Sequence, residues 1–248
     1  MKESTEFNLG LEVKDRLKSM MMIGIICSII VIVLTVMDIA IGTSLGGSLN
    51  EIPTTAAQRF IQLQNQPLLG LYYLDTLNMV TAILMIPVFT ALFLIQRKTK
   101  IATLILALVF FGIGTAIFIN NNAALPMLGL SKQFANALPA QKDILSAVGE
   151  SLLIKGAHGS MGAFLGFVLS MISTILMSLS MIQSKIFGKV TGWIGLLGAV
   201  LLMVYLILVT FVPGTQNIAM TLAAPGGIMS LIWMVLYTLK MLRLYFNK

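Results

Sequence analysis

The sequence predicts an all-α, polytopic transmembrane helix bundle of six spans, with both termini cytoplasmic and short amphipathic helices in the outer loops. Three observations predict it. Of the 248 residues 58% are hydrophobic and only 10% charged, with a mean hydropathy of +0.96, whereas soluble domains carry about a quarter charged residues. Six apolar runs are each long enough to cross roughly 30 Å of hydrocarbon. The basic residues collect at the ends of those runs, predominantly on one side.

The spans fall at about 19–43, 68–95, 101–121, 158–182, 190–212 and 222–245. Residues 1–18 form a charged cytoplasmic segment, and 19–248 a single six-span transmembrane domain. The first run follows a short charged stretch, as a signal peptide does. It is too long for a signal-peptide core and no clean small-x-small cleavage site follows, so it reads as a retained span.

Direction comes from the cations. Lys2, Lys14, Arg16 and Lys18 precede span one; Arg97, Lys98 and Lys100 follow span two; Lys185 and Lys189 follow span four; Lys240, Arg243 and Lys248 close the chain. The opposite side has only Arg59, Lys132, Lys142 and Lys155, over longer loops. This twelve-to-four division places the amino terminus, the short loops and the tail inside. The same clustering explains the net charge of +7 without a basic stripe of the nucleic-acid kind. Cys27 stands alone, which excludes an internal disulfide or a thiolate metal cluster.

The outer loops are long. In the first, Pro53 leads into a polar segment with Phe60 and Ile61. In the second, about 122–157, Leu130, Phe134, Ala137 and Leu138 recur at helical spacing, Pro139 interrupts, and Ile144, Leu145, Val148 and Leu152 follow. Two amphipathic helices over the outer mouth are expected. Within the bilayer small residues mark the packing faces: Gly162, Gly166 and Ser170; Gly192, Gly195 and Gly198; Gly24, Ser28, Thr35, Asp38 and Gly42. Pro87 sits inside span two and Pro213 ends span five.

Polar residues inside a membrane are costly and face the bundle interior or a watery cavity. Asp38 near the outer end of span one, Asp75 and Asn78 near the outer start of span two, Asn120 at the end of span three and His158 at the head of span four define a candidate ligand pocket open to the outside. Asn121, Asn122 and Glu150 are secondary candidates. Their oxygens suit a small polar solute or a cation, while the competing reading makes them interhelical hydrogen bonds. No catalytic residue is assigned: one histidine excludes HExxH zinc motifs, and neither a GxSxG elbow nor a phosphate loop is present. No cofactor is expected, and no metal can be named.

The stretch Asn120-Asn121-Asn122-Ala123-Ala124-Leu125-Pro126-Met127-Leu128, then Leu130-Ser131-Lys132-Gln133-Phe134-Ala135, Gly149-Glu150 and the turn Ile186-Phe187-Gly188-Lys189-Val190-Thr191-Gly192 resembles a prokaryotic multi-pass membrane protein family of unknown function, carrying an N-x-A-L-x-M-L-x-L-S segment. The resemblance covers roughly residues 110–245. It implies a prokaryotic cytoplasmic-membrane protein and carries over no functional residue. Three functions stay open: small-solute or ion binding and transport through the outward-facing pocket; a non-catalytic accessory or sensor subunit with a membrane-protein partner; and a membrane-embedded enzyme acting on lipid through an Asp38–Asp75 pair. The bilayer is a partner in all three.

Overall fold

The computed structural model describes residues 2–44, 53–157 and 159–247, with the side chains of 2–16, 43, 44, 216 and 217 outside that description. Within it the chain forms ten helices and no strand. They are α1 (Lys2–Ser44), α2 (Ala56–Asn65), α3 (Pro67–Tyr72), α4 (Thr76–Gln96), α5 (Ile101–Asn121), α6 (Ala124–Ala135), α7 (Pro139–Gly156), α8 (Met161–Gln183), α9 (Lys189–Phe211) and α10 (Gln216–Phe246). Six helices are long and apolar enough to cross a membrane, their apolar segments lying in α1, α4, α5, α8, α9 and α10. The other four are short helices between spans, and α2, α3, α6 and α7 all lie at the same end of the bundle, as a cap.

The spans form a closed ring. α1 packs on α4, α4 on α5, α5 on α8, α8 on α9, α9 on α10, and α10 returns to α1. Chain order is thus ring order, the arrangement short loops favour because consecutive antiparallel helices are neighbours. Lipid gives apolar helices no reason to associate beyond close packing and hydrogen bonds, and the tight seams show both. A Cβ on Gly24 would lie 2.5 Å from the Ala91 Cβ, which fixes α1 against α4. A Cβ on Gly114 would lie 2.7 Å from the Gly166 carbonyl oxygen, so α5 and α8 touch backbone to backbone. Along that seam the Ser173 hydroxyl donates to Ala107 O at 2.6 Å. Gly192 and Gly195 set α9 against Ile182 and Ser178 of α8, and Gly198 faces Gly226 of α10.

The α4–α5 and α10–α1 seams have no such glycine crossing. Side chains bridge them instead. Phe89 stacks on Phe111 at 4.2 Å, Ser28 and Thr238 share a hydroxyl hydrogen bond, and the Lys18 ammonium lies 5.2 Å over the Tyr245 ring. At the end away from the cap the ring is filled by a core that includes Met177, Met181, Tyr237 and Met241. Thioethers suit this filling because they adapt to irregular gaps, and three accept hydrogen bonds here: Met181 from Trp233 Nε1 at 3.3 Å, Met177 from Gln96 Nε2 at 3.3 Å and Met85 from the Tyr237 hydroxyl at 3.8 Å.

The cap has its own core, in which Phe60, Leu63, Leu74, Met127 and Leu153 are buried and Phe134 packs on Phe60 at 5.2 Å. α2 starts with a reciprocal cap, Thr55 Oγ1 accepting from Gln58 N and Gln58 Oε1 from Thr55 N. α7 begins at Pro139, where a missing N–H costs nothing. The apolar spacing of the sequence divides between two faces: Leu145 and Leu152 pack against the cap core beside buried Gly149, Leu153 and Gly156, whereas Ile144 and Val148 are 66% and 45% exposed. The glycines decide this, since Gly149 faces Ala56 and Phe60, and Gly156 faces the backbone at Asn121 and Ala123.

Candidate functional site

The second apolar run of the sequence is not one helix. α3 ends at Tyr72, and the chain turns through Tyr73, Leu74 and Asp75 before α4 begins. Asp75 has φ 61, the one non-glycine residue with positive φ among those described. Aspartate tolerates this left-handed conformation better than branched or bulky residues do, and the turn makes Asp75 the residue that opens α4. It is 8% exposed, and Asn78 Nδ2 donates to its Oδ1 at 2.9 Å. The hydroxyl of Tyr72, on α3, donates to the Asp38 backbone oxygen at 3.3 Å. Burial first, and then the Asp38 carboxylate, pushes the Tyr72 phenol above its usual range. The break between α3 and α4 therefore places Asp38, Tyr72, Asp75 and Asn78 on neighbouring elements at the cap end of the ring.

Below this cluster lies a partly open cavity of about 220 Å³ lined by residues of all six spans. Its wall runs along α4 from Asn78 to Phe89, roughly 16 Å of helix at 1.5 Å per residue. Phe89, Phe111 and Trp233 lie at the deep end, with Phe89 and Trp233 ring centroids 6.4 Å apart. The remainder is apolar surface studded with hydroxyls, and among the described residues the lining includes Asn78 as its one amide and no charged side chain.

The hydroxyl bonds limit what the wall offers. Thr35, Ser170 and Thr174 each donate to the carbonyl four residues earlier, and Thr81 to that of Asn78. Their protons are spent on their own helices, so they present oxygen lone pairs. Thr115 differs: it is 2% exposed, its hydroxyl has no partner among the described residues, and it belongs to the same wall.

Of the residues singled out from sequence, Asn78 lines the cavity and ties it to Asp75. Asp38 is half-buried on α1, beside Tyr72. Asn120 is exposed and donates to Asn121 Oδ1 at 3.3 Å. His158 lies outside the described residues. Among the secondary candidates, Asn121 Nδ2 donates to Gly162 O at 2.6 Å, joining the end of α5 to the start of α8. Asn122 is buried, donates to Leu74 O at 3.0 Å and accepts from Ala124 N at 3.0 Å, binding the α3–α4 turn to α6. Glu150 accepts from Ala56 N at 2.7 Å, a carboxylate at the amino end of α2. The sequence alone did not single out Thr115 or Trp233, and it marked Ser170 only as a packing position; hydroxyls at similar depth on several spans were the signal that could have found Thr115 and Ser170.

Six apolar helices ringed in chain order, with a cap of short amphipathic helices at one end, define an integral, multi-pass α-helical membrane protein. A family model described as a domain of unknown function (DUF4386) matches residues 19–237, and the chain belongs to that family. The match begins at the first span and so includes the amino-terminal part that the asparagine-segment resemblance did not reach. Searches of curated proteins and of solved structures found no match.

Proposed function

We propose that this protein binds a small, uncharged, largely apolar molecule in the central cavity and admits it from the capped side, as a membrane binding or transport protein for such solutes. The observation that carries this reading is the cavity itself: every span contributes to its wall, and the wall holds the partnerless hydroxyl of Thr115. A closed six-helix ring could bury these positions against one another, and space kept among aromatic rings and hydroxyls is what a ligand with an apolar body and one or two polar groups requires. Lone pairs from Thr35, Thr81, Ser170 and Thr174 favour a ligand that donates hydrogen bonds. A bare cation fits less well, because the lining includes no carboxylate among the described residues to offset its desolvation. Asp75, reached through the Asn78 amide, lies at the entrance.

The twelve-to-four division of basic residues supports both termini inside and the cap outside, in the cytoplasmic membrane of a prokaryote. The cap agrees with a place at the interface: Leu68, Leu125, Leu138 and Ile154 are 83%, 59%, 68% and 73% exposed, as for helices lying at a bilayer surface.

The test is a comparison of small molecules co-purified with the wild type and with Ala82→Phe, a substitution that fills the cavity from its wall. A molecule enriched in the wild type and absent from a folded Ala82→Phe supports the reading. Equal content in the two proteins contradicts it.

A further inference from the structure

Burial along three of the spans changes halfway through the bundle. On α1 the buried residues run from Met21 to Val31, and none follows among residues 32–42. On α4 none of residues 76–87 is buried, whereas Val88, Phe89, Ala91 and Leu92 are. α10 is alike: Trp233, Met234, Tyr237 and Thr238 are buried, but between 218 and 232 only Ala219 and Gly226 are, Gly226 against α9. The bundle is therefore solid in the half away from the cap and hollow in the cap half, on the side of α1, α4 and α10. The bonds that join α10 to α1, Ser28 with Thr238 and Lys18 over Tyr245, lie in the solid half. Gly227 stands on the same face of α10, about three turns from Thr238 and five from Tyr245 at roughly 3.6 residues per turn. A Cβ there would nevertheless meet no described atom within 4 Å. The seam that closes the ring is thus open in the cap half. Gly227 belongs to the apolar segment Ile218–Phe246, so the gap faces bilayer hydrocarbon rather than water.

The cavity behind the gap says what would pass through it. Its wall extends roughly 16 Å along α4, yet its volume of about 220 Å³ falls below the roughly 300–1,000 Å³ of sites for compact ligands. A long, slender space suits one hydrocarbon chain, whose tail the aromatic end at Phe89, Phe111 and Trp233 would take. No charged side chain lines the wall among the described residues, so a phosphate or ammonium headgroup would lose its water without compensation. Thr115 has a proton to donate, while Thr35 and Thr81 offer lone pairs. A hydroxyl answers both, because it donates and accepts. We propose that the occupant of the cavity is an uncharged amphiphile of one hydrocarbon chain ending in a hydroxyl, which enters sideways from the bilayer through the gap between α1 and α10. This inference rests on the cavity reading above and adds to it the class of ligand and the route.

The experiment uses the full chain carrying Trp193→Phe, which leaves Trp233, in the cavity wall, as the remaining tryptophan. Trp233 is 2% exposed, so bromine on bulk lipid reaches it poorly. In phosphatidylcholine nanodiscs, a fatty alcohol brominated in mid-chain should quench Trp233 fluorescence to a plateau as its mole fraction rises. Dibrominated phosphatidylcholine at equal bromine content should quench far less. Adding Ala82→Phe, which fills the cavity, should remove the alcohol's quenching, and adding Gly227→Phe, which fills the gap, should slow its onset after rapid mixing. Gly112→Phe, at another position open for 4 Å around its Cβ, should leave both plateau and onset unchanged. Acrylamide, a small uncharged quencher soluble in water, reads the cavity without reference to chain or route. Acrylamide quenching that Ala82→Phe removes, with no quenching by the alcohol, overturns this proposal and leaves the cavity reading standing. Failure of both quenchers to reach Trp233 overturns the two together. Equal quenching by the alcohol and the phosphatidylcholine, or an onset unchanged in Gly227→Phe, also overturns the proposal.

Discussion

Replacing Gly114 by alanine tests whether backbone contact between α5 and α8 holds the ring together. The added Cβ would lie 2.7 Å from the Gly166 carbonyl oxygen and 3.0 Å from both the Leu169 Cβ and the Ser170 Oγ. Ordinary van der Waals contact begins at 3.4 Å, so the helices must part by about 0.7 Å at this point. The obstacle is backbone rather than the end of a flexible side chain, and it sits on a seam that also carries the Ser173–Ala107 hydrogen bond and the Phe118–Phe167 ring contact. Overpacking of this kind costs about 1–3 kcal/mol, against which the intrinsic helix preference of alanine over glycine returns at most about 1 kcal/mol. A net loss of up to about 2 kcal/mol, centred near 1 kcal/mol, is expected by that balance, roughly a fivefold change in the unfolding equilibrium. Unfolding in mixed micelles titrated with sodium dodecyl sulfate, followed by near-ultraviolet circular dichroism, measures it. Gly112→Ala on the same helix is the control, because nothing lies within 4 Å of its added Cβ; it should be neutral or slightly stabilising. Equal midpoints for the two variants would refute the packing argument.

Other substitutions separate structural ties from the site. Asn122→Ala leaves the buried Leu74 carbonyl and Ala124 N–H without their partner and should cost about 1–3 kcal/mol, whereas Asn120→Ala, at an exposed position, should stay within about 0.5 kcal/mol; the same titration reads both. Asp75→Asn keeps a residue that accepts φ 61 and an oxygen for Asn78, so its stability should match the wild type, while Asp75→Leu should lose about 1–3 kcal/mol from backbone strain alone. Reporters active only inside, fused in turn to each terminus, should both be active, and a reporter at residue 136 in the cap should not; the opposite pattern would reverse the orientation.

Much of the fold was legible because the bilayer imposes a simple code. Length and hydropathy fix a span almost without regard to neighbours, and the six runs correspond to six long helices for that reason. The small residues expected on packing faces are where the helices meet, as Gly24, Gly166 and Gly195 show. Less legible was whatever depends on backbone conformation or on distant partners. Residues 68–75 are as apolar as a span, yet Asp75 takes a left-handed turn that detaches α3 from α4, and no local pattern signals it. On α7 the apolar spacing of Ile144, Leu145, Val148 and Leu152 did not say which side faces in; Leu145 and Leu152 pack against the cap core, and Gly149 and Gly156 let that side approach α2 and the α5–α6 corner.

The candidate site was legible only in part, since polarity alone marks a residue as costly without saying what offsets the cost. Asn121, Asn122 and Glu150 turn out to satisfy backbone groups across the cap. The cavity was hidden for the opposite reason. Its lining is of common membrane residues, threonine, serine and phenylalanine, and only the closure of the ring brings Thr115 of α5, Ser230 of α10 and Asn78 of α4 to one space. Arg59 was visible in the sequence as one of the four cations expected outside, but its burial follows from the packing of α2 alone.

The claim on which the account turns is that the six spans surround an accessible cavity rather than a dry core, and thiol reactivity tests it most directly. On a Cys27→Ser background, Ser230→Cys places a thiol in the cavity wall, and Ser178→Cys places one at a fully buried position in the α8–α9 seam. With the protein in nanodiscs and N-ethylmaleimide added, the Ser230→Cys thiol should react much faster than the Ser178→Cys thiol, and adding Ala82→Phe should slow it to the buried rate. Equal rates at the two positions, unchanged by Ala82→Phe, would contradict the cavity.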